Sequence, residues 1–272
     1  MPTRTAARYR QGQKTNGTDA EGIGVAARQP TTKFVAPKPI NLQELQALMR
    51  IREHLKDHRL ATSNLIRSLL AEFGLLIPKG WKALRERVPE LLEDAENELP
   101  MELRFQLRDQ LDDYLELEKR FAEVDRACTQ RVNQDEACHQ LLQLEGIGPV
   151  NAAGLLLALG EQGDSFRNGR NASACIGATP KQHSTGDQVR IGHISKDCAN
   201  KRLRANLIQG AWAVIQQLRK RDPRNGKEVW LKGVINRRGE GIAAVALVNK
   251  TIRVAWAMLH YGENFKLHPN MA

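Results

Sequence analysis

Cysteine is scarce in this 272-residue sequence. Cys128, Cys138, Cys175 and Cys198 form no CxxC pair and have no histidine at zinc-finger spacing, which removes a disulfide framework and a structural zinc site. No apolar run approaches the roughly 18 residues of a membrane span. The opening stretch MPTRTAARYRQGQKTNGTD has no apolar core like that of a signal peptide. The expectation is a cytoplasmic protein with reduced thiols and no membrane contact. Strand signals are few and no internal repeat is visible, so helices must carry the fold.

Charge of one sign is what the chain does have. Lys and Arg number 41 against 31 Asp and Glu, for a net charge of +10. The excess is uneven: residues 80–137 carry 9 basic and 16 acidic side chains, whereas residues 164–272 carry 19 basic and 7 acidic, a net of +12. A segment of domain size this lopsided favours a polyanionic partner, nucleic acid above all, over an ordinary solvated face.

Periodicity divides the chain into three regions. Residues 1–37 are rich in Gly, Thr, Pro and Lys, with one short helical run opened by Asp19 as a candidate N-cap. Residues 38–137 hold long helices. From Asn41 to Phe73, leucines recur at helical spacing until Gly74 and Pro78 close the segment, and a shorter helix ends before Pro100. A second long helix is expected from Met101 to about Leu142. Its positions Leu103, Leu107, Leu111, Tyr114, Leu117, Phe121, Val124 and Cys128 step by 3 or 4, the spacing of a coiled-coil seam. That pattern fits packing within one chain as well as pairing between two copies, so a homo-oligomer is one expectation. Residues 138–272 complete the chain as a third, helical region, with helices expected from about Lys201 to Lys220 and from Gly241 to Tyr261.

The third region opens on LLQLEGIGPVNAAGLLLALG. Gly146, Gly148 and Pro149 between two apolar runs fit the tight turn of a helix-hairpin-helix, whose free N–H groups at a helix start can hold a DNA phosphate without reading bases. A plain turn between buried helices is the alternative. Farther on, GATPKQHSTGDQVRIGHISKDCANKRLR places Ser184 and Thr185 at an expected turn before Gly186, among Arg190, Lys196, Arg202 and Arg204. Phosphoryl transfer through a protein hydroxyl needs an attacking oxygen, cations on the phosphate oxygens and a group that handles the proton. Ser184 or Thr185, the basic side chains, and His183 or His193 are residues of those types. Taken alone, Ser-Thr-Gly is more often a turn or a helix cap.

Several separate blocks give these residues a context. GWKALRERVPELLEDAENELP, LEGIGPVNAAGLLLALG, FRNGRNASACIGATPKQHSTGDQVRIGHISKDCANKRLRANLIQGAWAV and NRRGEGIAAVALVNKTIRVAWAMLHYGENF, in this order along the chain, resemble the insertion-sequence one-ten family of Piv-like transposases, especially its subgroup with a PxQxSxG turn. The likeness runs from about Lys14 to the C-terminus. It implies a RuvC-like domain whose four acidic residues bind divalent metal, expected to be Mg2+. It also implies a helical coiled coil and a transposase domain whose serine becomes covalently linked to DNA. A structured bridge RNA would select the sequences to be joined.

Carried onto this sequence, the family serine in its Ser-Gly pair falls on Thr185, with Ser184 one position earlier. Ser184 is the less hindered nucleophile and is narrowly favoured; Thr185 keeps the register but adds a methyl group beside its oxygen. The family's KTDxxDA, which supplies the last two acids, reads KTNGTDA here, so Asp19 is kept as a catalytic and metal-binding candidate while Asn16 stands at the other acid. The strand segments carrying the first Asp and the Glu should lie upstream of this motif, where only a short basic leader is found. The chain therefore reads as a truncated or degenerate transposase whose strand exchange is impaired. Its expected fold is mainly α: a helical linker, an α-helical transposase domain with a helix-hairpin-helix, and a small remnant of an α/β RuvC-like domain. A nonspecific DNA-binding module and an oligomerising inactive remnant are the competing readings. Gly146, Gly148, Arg190, Lys196, Arg202 and Arg204 are the candidate DNA-binding residues.

Overall fold

The computed structural model describes residues 3–32, 34, 37–186, 188–195, 198 and 200–266. The chain divides into two compact units, Met1–Pro39 and Ile40–Ala272. The first holds α1 (Thr3–Ala7) and α2 (Asn16–Arg28), with no strand among its described residues. Helix α2 begins three residues before the expected Asp19 because Thr15 caps it. Thr15 Oγ1 accepts from Thr18 N at 3.2 Å, and Thr18 Oγ1 accepts from Thr15 N at 3.1 Å, a reciprocal box that satisfies two otherwise orphaned donors.

The second unit is mainly α. Helix α3 (Ile40–Glu72) is a single helix, and α4 (Trp81–Glu93) leads into α5 (Met101–Gln134). Helices α3 and α5 run antiparallel: Arg52 Nε lies 2.5 Å from Asp125 Oδ1, and Arg59 lies 3.9 Å from Glu118. The α5 seam is used inside the chain. Leu107, Leu111 and Tyr114 pack with Ile66 and Leu70 of α3 and with Leu84 of α4. The expected helix to Leu142 instead breaks at Asp135. Its backbone turns extended and its carboxylate accepts from Cys138 N at 3.0 Å, capping the short α6 (Glu136–Leu141).

The larger core gathers α7 (Pro149–Leu159), α8 (Gly169–Ile176), α9 (Lys201–Leu218), α10 (Gly226–Arg238) and α11 (Glu240–Tyr261), together with α6. Helix α11 is long and apolar enough to cross a membrane by length and composition. Here it is a core helix, packed against α8, α9 and α10, with Leu247, Val248 and Ile252 buried. Helices α8 and α10 have no counterpart among the sequence expectations. Helix α10 starts where Asn225 Oδ1 accepts from Glu228 N at 2.9 Å.

Between α8 and α9 the chain forms the single sheet of the described residues, an antiparallel hairpin of β1 (Pro180–Thr185) and β2 (Gln188–Ile194). Ser184 and Thr185 are thus strand residues rather than turn residues. The reversal falls on Gly186, whose φ of +57° is a left-handed conformation that glycine adopts without steric cost.

Candidate nucleic-acid interface

Register decides what the hairpin presents. Gln182 pairs with Ile191, His183 with Arg190, Ser184 with Val189 and Thr185 with Gln188. Directly opposed residues share a face and neighbours along a strand alternate. One face therefore carries His183, Thr185, Gln188 and Arg190; the other carries Gln182, Ser184, Val189 and Ile191. All of these are exposed. On the second face Gln182 Nε2 donates to Ser184 Oγ at 2.8 Å, which orients that hydroxyl. On the first, the His183 ring lies over Gly192, where a Cβ would sit 3.7 Å from it. Sequence placed a hydroxyl, a histidine and an arginine in one segment; the strand alternation separates the two hydroxyls and puts only Thr185 beside both other groups.

The remaining candidates divide between exposed and occupied positions. Arg190 makes no ion pair with a described residue and projects from the hairpin. Lys196 lies outside the described residues. Arg202 is held by two carboxylates of α3, with Nη1 2.6 Å from Glu53 Oε2 and Nη2 on Asp57. Arg204 donates to the carbonyls of Ser195 and Gly177, bracing the stretch that joins the hairpin to α9. In this conformation Arg202 and Arg204 are structural ties, and a phosphate would have to displace those partners.

The turn before α7 shows a similar division. Gly148 is the exposed N-cap of α7, with Pro149 at its first position. Gly146, at φ +78°, faces inward: a Cβ there would lie 2.7 Å from Gly210 O in α9, and a Cβ on Gly210 would lie 2.0 Å from Gly146 O. Two glycines let the turn and α9 touch backbone to backbone. Asn151, which sequence reasoning missed, joins them by donating to Gly146 O at 3.4 Å and Asn206 O at 3.2 Å. Gly210 in the middle of α9 was the available signal.

The description Transposase IS116/IS110/IS902 family belongs to a family model that matches residues 138–226, and a DEDD-type IS110 model described as Transposase matches residues 1–74. A probable family 20 transposase of Pseudomonas aeruginosa is 36% identical over 252 residues, which are 92% of this chain and 73% of that protein. The chain belongs to this family of insertion-sequence transposases. The transposase for insertion sequence element IS1111A of Coxiella burnetii is 31% identical over 95% of this chain and 70% of its own length. That for IS1328 of Yersinia enterocolitica is 32% identical over 93% and 73%.

The DEDD match fits a family dependent on divalent metal. The donor set of this transposase does not fit such an ion. Asp19 Oδ1 is engaged by Arg10 Nη1 at 3.1 Å, Asn16 stands where a second acid is expected, and no cluster of three or more His, Cys, Asp or Glu among the described residues could hold a metal. Hard divalent cations take several oxygen ligands, and one carboxylate already paired with a guanidinium is a poor start.

Proposed function

We propose that the chain is a DNA-binding transposase that exchanges strands through a hydroxyl on the exposed hairpin, with Thr185 as the attacking residue. The observation that carries this reading is the strand register, which groups Thr185 with His183 and Arg190 and leaves Ser184 on the opposite face. The family's Ser-Gly pair also falls on Thr185, whereas the subgroup's PxQxSxG pattern falls on Ser184, so the register is what favours Thr185. Arg190 would grip non-bridging phosphate oxygens, and His183, through one water, would accept the hydroxyl proton. In the step, Thr185 Oγ1 forms a bond to phosphorus while a phosphorus–oxygen bond to a deoxyribose breaks, and that sugar oxygen leaves with a proton. A second sugar hydroxyl then attacks the phosphothreonine and restores the side chain. One phosphoester is exchanged for another at each step, so no energy-rich cofactor is consumed.

Mg2+ belongs to this proposal as the ion an intact site of the family would use. Because the donors around Asp19 do not fit it, strand exchange by this chain is proposed to be impaired. Binding itself requires no metal. Exposed Gly148 at the start of α7 and Arg190 would hold phosphates, and Lys196 joins them as a sequence candidate. A bridge RNA is the proposed source of sequence selection, two copies acting on two DNA ends the proposed assembly, and the cytoplasm the proposed location. The alternative of a DNA-binding module without chemistry is separated by one experiment. Protein trapped on labelled DNA after denaturation, in the presence of a longer relative that supplies the acidic site, should fall to background in Thr185→Ala and persist in Ser184→Ala. The opposite pattern moves the nucleophile to Ser184, and no linkage from any form favours the binding module.

A further inference from the structure

A second region of the molecule has the features of a ligand site and contains neither Thr185 nor the α7 turn. A groove of about 2030 Å3 runs between α10 and α11, past the start of α8, to β2 of the hairpin at Ile191–Ile194. Small-molecule pockets reach roughly 1,000 Å3; this one is sized for a stretch of polymer. Its walls carry Arg170, Arg238, Lys250, Arg253 and Lys266, together with Lys227, which is paired with Glu145 at 3.2 Å, and among the described residues its one acidic lining residue is Glu263. Arg170, Arg238, Lys250 and Arg253 form no ion pair with a described residue. Elsewhere in the same unit Arg202, Arg219 and Arg221 are each closed by a carboxylate. A groove with Arg170, Arg238, Lys250 and Arg253 against the one described carboxylate of Glu263 has a polyanion as its complementary occupant.

The apolar part of the groove narrows the choice. Tyr261, Ile242 and Ile191 line it while 66%, 56% and 73% exposed. Lys250 Nζ sits 4.5 Å over the Trp230 ring, so a cation and an aromatic surface adjoin on one wall. A duplex turns its bases inward and offers a flanking groove only phosphates and sugars, which would leave Tyr261 and Ile242 in water. An unpaired strand offers phosphates to the cations and base faces to the aromatic and aliphatic side chains, the combination used by single-strand-binding grooves.

We infer that this groove binds an unpaired polynucleotide strand, with Arg170, Arg238, Lys250 and Arg253 on its phosphates and Tyr261 and Ile242 against its bases. The inference rests on the polynucleotide reading above but not on the hairpin chemistry. An unpaired strand has two sources in this system, a DNA strand opened near the exchange point and an RNA; both present the same phosphates and base faces.

The test uses the full chain with three fluorescent probes: a 20-nucleotide oligo-dT, a 20-nucleotide oligo-rU and a blunt 20-base-pair duplex, each titrated across a salt series. Arg170→Glu/Arg253→Glu should weaken binding of the unpaired probes by about tenfold or more. It should also lower their salt slope by about 1.4, since each single-strand phosphate contact contributes about 0.7. Duplex affinity should stay within about threefold. Tyr261→Ala should weaken the unpaired probes without changing their slope, and whichever of oligo-dT and oligo-rU is held more tightly names the source. Because charge reversal can disturb folding, wild-type protein is also photo-crosslinked to a thio-substituted oligonucleotide, with crosslinks expected in residues 168–170, 191–194 or 226–266. Unchanged affinity of the variants for unpaired probes, equal losses for duplex and single strand, or crosslinks confined to other regions overturns the groove. Failure of the wild type to bind any of the three probes overturns the DNA-binding function as well.

Discussion

Gly210 and Gly233 both lie inside helices, α9 and α10, and the same substitution at each should act in opposite directions. Replacing a helix-interior glycine by alanine gains about 1 kcal/mol in an exposed helix, because the unfolded chain loses backbone freedom. At Gly233 a Cβ would meet nothing within 4 Å, so Gly233→Ala should realise that gain. At Gly210 the added carbon would lie 2.0 Å from Gly146 O and 3.1 Å from Gly146 C, and neither belongs to a flexible side chain. The turn and α9 must separate by about 1 Å, which strains the Asn151 hydrogen bonds bridging them. Overpacking costs typically about 1–3 kcal/mol, and losing a buried hydrogen bond adds about 1. The net expectation for Gly210→Ala is a loss of about 1–3 kcal/mol after the helix gain is deducted. For a chain of this size that corresponds to a fall in Tm of several degrees, at about 2–4 °C per kcal/mol. Thermal melting followed by circular dichroism decides the matter. A rise in Tm for Gly210→Ala would mean that the turn does not press on α9, and the account of Gly146 as a packing residue would fall with it.

The Glu228 carboxylate accepts from Arg221 at 2.7 and 2.6 Å and from Arg224 N at 2.7 Å while only 4% exposed, and the Arg221 hydrogen bonds are the main reason its pKa is lowered. A carboxyl whose folded-state pKa is depressed contributes stability above its ordinary value, about 4.3, and loses it as pH falls toward the lowered value. Glu228→Gln should therefore cost about 1–3 kcal/mol at pH 7 and progressively less below pH ~4, measured by urea unfolding across pH; a pH-independent difference would refute the ion pair. Burial pushes the Cys138 thiol up to about 12 and also raises Cys128. A thiol reagent at pH 8 should accordingly label at most Cys175 and Cys198 before unfolding, and rapid labelling of all four would contradict the packing. Arg202→Ala removes an exposed bridge to α3 and should cost under about 1 kcal/mol, with duplex affinity at low salt unchanged within about twofold. Arg190→Ala should weaken duplex binding several-fold, and equal effects of the two would return Arg202 to the interface.

Helices with a continuous apolar stripe were legible in the sequence. Helix α3 ends where Gly74 and Pro78 predict, α9 begins at Lys201 as expected, and α11 differs from expectation by one residue at its start. The hairpin was not legible, for a physical reason. The strand signal is half-burial read as alternation, and this hairpin is exposed on both faces, so KQHST carries no alternating pattern. Helix α10 carries an N-cap signal in Asn225 with Glu228 at N3, but the intervening Gly226 and the preceding Asp222–Pro223 are loop-forming residues that obscure it. Contacts distant in sequence were beyond reach. The carboxylates that neutralise Arg202 lie 149 and 145 residues away, and the groove assembles Arg170 with Lys250 and Arg253 across some 80 residues of chain. Sequence could count the positive charges, whereas only the fold separates those already paired from those presented to a ligand.

We propose that this chain binds DNA through its phosphates but holds the metal half of the family's chemistry poorly. It is tested most directly by incubating the purified chain with labelled DNA over a Mg2+ series and measuring two quantities on the same samples. One is the bound fraction before denaturation; the other is the protein–DNA linkage that survives it. Loss of a positioned metal removes several kcal/mol of transition-state stabilisation, a factor of roughly a thousand or more in rate. The expected result is salt-sensitive binding with linkage at background at every Mg2+ concentration. Efficient, Mg2+-dependent linkage that disappears in Thr185→Ala would contradict the claim, since it would require the chain to hold a working metal site of its own.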